Sequence, residues 1–407
     1  MIKLIENNKK NLERSLLFLL IVLAFFILVF FIFLQYNNAT SDLAWAFIHG
    51  KLNFITEIKN PDFVFFDNQL FWPTPPFPAL ILIPLVLFYQ YPVEISIINF
   101  LVNIILFIFL AYFARKIFKF NKLDSYWLSA LYFFSSVHII TLALHLDYNF
   151  AHTICTLLIF LGLYEFFTQR RYWLIGILLG CVFLTRLTAI FVVLFYLAYI
   201  LTEQINNSKK FKQLAMLLSP IFICFLIFGL YNFLRFNNPL QTGYILSNAY
   251  SNVYADYHPY GQFSLEYLPQ NFYYYFLESF NPIYSQAQKE ELLITLKPPY
   301  FRTNRYGVTS FFLIAPLFLY LFKADYRDNI NKLLLITSLV ILFVLLCYWY
   351  NGWPQIGPRY LNDCLPLLFV ILLAYFKEKN LTFKHKIIIF SSALLNLYLS
   401  IFIGFGL

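Results

Sequence analysis

Residues Leu16–Leu34 read LLFLLIVLAFFILVFFIFL, nineteen apolar residues without a break. As a helix rising 1.5 Å per residue, the run measures about 28 Å, close to the ~30 Å hydrocarbon core of a bilayer. Lys3, Lys9, Lys10 and Arg14 precede it, and Gln35-Tyr36-Asn37-Asn38 follow with no small-residue cleavage site. The run therefore reads as an uncleaved signal anchor with its N-terminus in the cytoplasm. The rest of the chain keeps this character: of 407 residues 61% are hydrophobic and 12% charged. Soluble domains run nearer 45–50% apolar and about 25% charged. That excludes a soluble globular chain, and with it disordered, collagen-like and disulfide-framework chains. The five cysteines show no metal-binding spacing and read as small core residues.

Further apolar runs lie near 95–114, 125–144, 149–168, 172–202, 213–234, 307–322, 333–350, 358–376 and 387–405, with basic clusters between them. Placing every cluster in the cytoplasm settles two ambiguous segments by parity. Residues 77–90, FPALILIPLVLFYQ, contain Pro78 and Pro84 and are too short to cross, so they belong in or on the outer leaflet. Residues 172–202 would make a single helix of ~46 Å, far too long, with Arg186 near its middle. They are expected to cross twice, turning at Thr185-Arg186 outside. That keeps the arginine from the bilayer centre, where it costs roughly 2.5–3.5 kcal/mol. The result is an all-α polytopic membrane protein of about eleven transmembrane helices. The formal net charge of +9 then reflects cytoplasmic loops and needs no nucleic acid to explain it.

Two long segments face outside, 37–94 and 237–306. In the first, Ser41 is expected to cap a short interfacial helix from Asp42 to about Leu52, with Gly50 near its end. Asp42 then stands in the first turn, where the helix dipole favours a carboxylate. Asp62, Asp67 and a proline-rich turn (Pro73, Pro75, Pro76, Pro78) follow. The second loop holds twelve of the 31 tyrosines, between Tyr244 and Tyr306. Aromatic rings with scattered polar groups suit a sugar face, and equally an interfacial belt. Soluble mass on one side only suggests chemistry at the outer surface on an amphiphilic substrate.

Three stretches carry a resemblance. Asp42 is followed by Ala46-Phe47-Ile48-His49-Gly50-Lys51-Leu52, Asp62 and Pro75-Pro76-Phe77-Pro78-Ala79-Leu80; residues 231–244 read YNFLRFNNPLQTGY; residues 352–366 read GWPQIGPRYLNDCLP. In this order the chain resembles bacterial membrane glycosyltransferases of the GT-C superfamily, among them protein O-mannosyltransferases (glycosyltransferase family 39) and the lipid A aminoarabinose transferase. The resemblance spans roughly residues 40–366. It implies a GT-C-like transmembrane catalytic domain over 1–376, whose first outer loop forms juxtamembrane helices, then a cytoplasmic loop and last span over 377–407. It also implies sugar transfer from a polyprenyl-phosphate-linked donor to a lipid, glycan or protein acceptor outside the bacterial cytoplasmic membrane, with an acid of the first outer loop as base. Asp42 is the matching position. The sequence departs from many relatives in having Asp42-Leu43 there, and it lacks the soluble C-terminal domain that some carry.

Such chemistry needs a carboxylate to take the acceptor proton, cationic or backbone donors for the leaving phosphate, and an apolar groove for the prenyl tail. Inversion by one attack needs one essential carboxylate. Asp42 is the expected base; Asp62 and Asp67 are loop organisers or second choices. Asp147 and Tyr148, in the turn after His145, suit the acceptor side, as does His49. For the phosphate, Arg359 ranks first, beside Tyr360, then Arg186, with Arg302, Arg305 and Arg235 near span ends; arginine grips phosphate through two parallel bonds. Ordinary snorkelling at a membrane interface is the competing account of each arginine. No cofactor or metal cluster is expected, a divalent metal staying open. A lipid or polysaccharide transporter, or a noncatalytic protein of this fold, is the alternative. The expected scarcity of charge within the spans counts against a coupled transporter.

Overall fold

The computed structural model describes residues 2–32, 38–55, 62–144, 146–253, 255–284, 296–302, 309–350, 352 and 355–404. The described chain is almost wholly helical. In order it forms α1 (Ile2–Ile32), α2 (Ala39–Ile48), α3 (Phe77–Tyr89), α4 (Ile95–Phe118), α5 (Lys122–Phe134), α6 (Ile139–Ala143), α7 (Asp147–Thr168) and α8 (Tyr172–Phe183). Then come α9 (Val193–Thr202), α10 (Asn207–Phe236), α11 (Leu268–Phe276), α12 (Phe311–Ile314), α13 (Asn329–Leu346), α14 (Leu365–Lys379) and α15 (Phe383–Gly404). Sheet is confined to two hairpins, β1 (Val64–Phe66) with β2 (Gln69–Phe71), and β3 (Asn281–Tyr284) with β4 (Leu296–Arg302). Among the described residues five helices are long and apolar enough to cross a membrane, within α1, α4, α7, α10 and α13. With the composition, this makes the chain a multi-pass membrane protein.

Several expected spans are interrupted. The 172–202 run breaks where expected: α8 ends at Phe183, Arg186 is extended at φ −147°, and a 3-10 turn Leu187–Val192 leads into α9. The 125–144 run also breaks, at Ser135–His138, between α5 and α6. The 358–376 run opens with a 3-10 turn, Arg359–Asp363, before α14. Irregular backbone at such depth is tolerated where protein groups satisfy it, and each of these breaks carries buried polar side chains.

The short α3 agrees with its reading as a segment too short to cross: thirteen residues rise about 20 Å. The helix expected from Asp42 starts earlier, at Ala39. Ser41 lies inside α2 and its hydroxyl accepts from the Val93 backbone N–H at 2.6 Å, so a tertiary partner has taken the group that looked like a cap. The expectation of nearly charge-free spans needs the same correction. Asp363 in the 358–376 run is fully buried and ion-paired. All five cysteines are free.

A large apolar core runs through the bundle, with two small clusters around Phe236 and Phe228 beside it. At one end, α1 meets the starts of α5 and α15 through Lys386, whose Nζ lies 2.7 Å from Glu13 and 2.5 Å from Asp124. At the other end, residues leading into α2 and α4 meet the start of α7. The Thr40 N–H donates to Asp147 Oδ1 at 2.6 Å, and the Ile95 N–H to Asn38 Oδ1 at 3.4 Å. The Phe77 N–H donates to the Leu184 carbonyl at 2.9 Å, seating α3 on the break after α8. Arg235, at the end of α10, donates to the Trp72 carbonyl at 2.7 Å. These bonds gather the 37–94 segment around the breaks.

A candidate active site where helix breaks converge

Arg186 and Asp363 come from two of the breaks and form a fork: Nε to Oδ1 at 2.6 Å and Nη2 to Oδ2 at 3.1 Å. Thr188 Oγ1 donates to the same carboxylate at 2.5 Å, and His152 Nδ1 lies 3.8 Å from Oδ1. Asp363 is fully buried and the Arg186 side chain 14% exposed. The guanidinium that sequence offered as a second phosphate grip is therefore held by a carboxylate of the chain itself.

Arg359 stands four residues before Asp363 and is 4% exposed. Its Nε and Nη1 have no hydrogen-bond partner among the described residues. Its backbone N–H donates to Gln355 Oε1 at 3.0 Å. Its Cζ lies 5.9 Å from the Tyr148 ring and 5.4 Å from the Tyr360 ring. The Tyr360 ring also meets Arg186, at 5.6 Å, and so stands between a paired and an unpaired cation. Gly352 makes this packing possible: a Cβ there would lie 2.9 Å from Arg359 Nε, and its φ of +89° suits glycine.

Asp62 joins this group from the loop between α2 and α3. It hydrogen-bonds the Tyr148 side chain and lies within reach of the Arg359 charge. Burial pushes its carboxyl up from the ordinary value, while the Tyr148 bond and Arg359 pull it back down. Trp72 packs beside Tyr148, ring centres 5.5 Å apart. An acid, a phenol and a buried cation thus meet, drawn from three distant segments. A carboxylate that can take a proton and a guanidinium with N–H groups to offer an anion are the parts of a group-transfer site.

The remaining sequence candidates fall elsewhere or do other work. Asp42 is half-buried in the first turn of α2, two residues from the Thr40 N–H that binds Asp147. Asp67 and Asn68 form the tip of the first hairpin with φ of +49° and +56°, and Asp67 is exposed there as a turn residue. His49 is exposed, with Nδ1 2.9 Å from the Trp45 carbonyl. Arg235 is committed to Trp72 and, through Nη2, to Asn232 Oδ1 at 2.7 Å. Arg302 closes β4 opposite Asn281. Arg305 and His145 lie outside the described residues. No group of three or more His, Cys, Asp or Glu placed to hold a metal ion occurs among the described residues.

Sequence reasoning passed over Asp363, His138 and His152. Each is an ionisable residue in or beside a long apolar run, and that alone marks a position worth assigning.

No family model and no curated protein matches the chain. Among solved structures, the apo oligosaccharyltransferase of Archaeoglobus fulgidus is similar at a TM-score of 0.45 and 12% identity, over 97% of this chain. The chain spans 55% of that protein's chain. The likeness is too distant to transfer a residue or an activity.

Proposed function

We propose that this membrane protein transfers a sugar from a polyprenyl-phosphate-linked donor to an acceptor at the outer face of the membrane. The observation that carries the reading is Arg359: a buried guanidinium with two nitrogens unpaired among the described residues, beside an acid and tyrosines. An unpaired buried cation is costly, and a phosphate supplies the bidentate partner it lacks. Tyr360 and Tyr148 flank the leaving phosphate in this reading. Asp42 takes the acceptor proton as its oxygen attacks the anomeric carbon. The carbon–oxygen bond to the phosphate breaks, and the charge left on the phosphate is met by Arg359. One attack from the opposite face inverts the centre. The resemblance of the first-loop and 352–366 stretches to GT-C glycosyltransferases supports the same assignment.

A second base is specifically favoured by geometry. Asp62 touches Tyr148 and lies in the field of Arg359, and burial raises its proton affinity. The test is sugar transfer in membranes from a labelled polyprenyl-phosphate donor. Asp42→Asn is expected to lower turnover by about 10²–10⁴-fold at normal protein level, the range of general base catalysis. Asp62→Asn is expected to weaken donor use more mildly. If Asp62→Asn abolishes transfer while Asp42→Asn retains it, the roles are exchanged. In that case the acid limb of the wild-type pH profile lies above the ordinary carboxylate range, because the base must lose its proton and its pKa is raised. Arg359→Met is expected to weaken polyprenyl phosphate binding about 100-fold, the loss of a charge-assisted bidentate grip. Unchanged phosphate binding in that variant removes the donor-site reading.

A further inference from the structure

His138 is fully buried in the break between α5 and α6, on none of the helices that carry the candidate site. Its ring nitrogens face two amide oxygens: Nε2 lies 3.0 Å from Asn103 Oδ1 and Nδ1 3.1 Å from Asn362 Oδ1. Neither amide is free to turn. Asn103 Nδ2 donates to the Asn99 carbonyl at 2.9 Å, and Asn362 Nδ2 donates to the Arg359 carbonyl at 2.9 Å. Flipping either amide would set oxygen against oxygen. The Asn99 amide is fixed in turn, by donating to the Thr141 carbonyl at 2.7 Å. Tyr132 and Phe133 close on the ring at 5.0 and 4.9 Å between centres. A line of hydrogen bonds therefore runs from α4 through His138 to the main chain of Arg359 itself. The neutral ring can donate at only one of these nitrogens; the Thr141 hydroxyl lies 3.3 Å from Nε2 and can donate to it, while the protonated ring donates at both.

We propose that His138 is a positioning residue for the donor phosphate. Through Asn362 it fixes the 3-10 turn Arg359–Asp363, and so the direction in which Arg359 presents its unpaired N–H groups. The inference rests on the donor-site reading of Arg359 above. A satisfied histidine in an ordinary core would need no bond to the turn that carries the cation. Here the ring is one side chain away from the Arg359 carbonyl, and the intervening Asn362 amide is locked by that carbonyl. Buried hydrogen-bond networks rigidify what they bind, and a group misplaced by about 1 Å can cost 10²-fold in a reaction.

The full-length protein in lipid nanodiscs, titrated with undecaprenyl phosphate, tests this. His138→Leu is expected to raise the Kd about tenfold, the worth of one to two lost hydrogen bonds. In an Arg359→Met background the same substitution is expected to change the Kd no further, because no guanidinium remains to be placed. Asn362→Ser, which breaks the same line one residue on, should reproduce the effect and carries the test should His138→Leu fail to accumulate. An unchanged Kd in a folded His138→Leu or Asn362→Ser protein overturns the proposal. So does an equal loss in the Arg359→Met background, which would mark a general structural role. If Arg359→Met alone leaves the Kd unchanged, the donor-site reading falls and this link falls with it.

Discussion

Lys386 and Arg359 are equally buried cations, each 4% exposed, and the fold treats them in opposite ways. Lys386 has two carboxylates within 2.7 Å, from α1 and the start of α5, and Asp124 is further braced by Asn121 Nδ2 at 2.6 Å. Arg359 keeps two nitrogens without a hydrogen-bond partner among the described residues, with Tyr360 on its side chain and Asp62 only in its field. Removing a charge from water costs several kcal/mol unless a partner compensates it. A chain that supplies two acids at one end of the bundle was free to supply one at the other. It does supply one to the neighbouring Arg186, through Asp363. The difference separates architecture from function: a paired cation locks helices together, and an unpaired one keeps a place for an anion that arrives.

The largest expected effect tests the architectural side. Lys386→Met strands Glu13 and Asp124 without a counter-charge. Breaking a buried pair by removing one partner typically costs about 3–5 kcal/mol. The variant is expected to lose that much stability in thermal or denaturant unfolding in detergent, while the folded fraction binds polyprenyl phosphate as wild type does. A shift in phosphate affinity as large as the loss of stability would show that the two ends are not separable, and the comparison would break. The same assay applied to Arg359→Met should give the reverse pattern, with affinity lost and stability kept.

Arg186→Lys sharpens the comparison at the boundary, since Arg186 touches Tyr360 yet belongs to the paired class. Lysine keeps the charge but loses the fork onto Asp363. About 1.5–3 kcal/mol of stability should go, the worth of a hydrogen bond to a charged group. Phosphate affinity should fall less than it does for Arg359→Met. A larger fall in affinity than in stability would move Arg186 into the donor site.

Much of this was legible before any fold was seen. The 31-residue run 172–202 was too long for one span, and the break at Thr185-Arg186 followed from its length and one arginine. The break at Ser135–His138 fell inside a run of one span's length, so length gave no sign of it, although Ser135, Ser136 and His138 stand at the place where the helix stops. Ser41 looked like a cap because local pattern cannot see Val93, fifty-two residues on, which takes its hydroxyl. The Arg186–Asp363 pair was within reach: two ionisable residues of opposite sign in long apolar runs invite pairing. The meeting of Asp62, Tyr148 and Arg359 was not, since each comes from a different segment and only the folded bundle brings them together. Asp42 was singled out by motif, and its half-buried place at the start of α2 leaves its role to the transfer assay.

The smallest expected effect concerns reach rather than charge. A paired cation such as Lys386 is held by its partners, so its neighbours need only pack. An unpaired one must be aimed by its surroundings. Gly352 is the closest such neighbour: a Cβ there would lie 2.9 Å from Arg359 Nε and 3.0 Å from Gln355 Oε1, the oxygen that accepts the Arg359 N–H. Its φ of +89° adds a backbone penalty for any side chain. Gly352→Ala should therefore cost about 1–2 kcal/mol of stability, the scale of a left-handed non-glycine residue. It should also weaken polyprenyl phosphate binding about threefold to tenfold by turning the guanidinium off line. Combined with Arg359→Met, it should keep the stability cost and lose the binding cost, because methionine has no N–H to aim. Full additivity of the two substitutions in binding would mean that Gly352 acts apart from Arg359, and the distinction between a held cation and an aimed one would not extend to this loop.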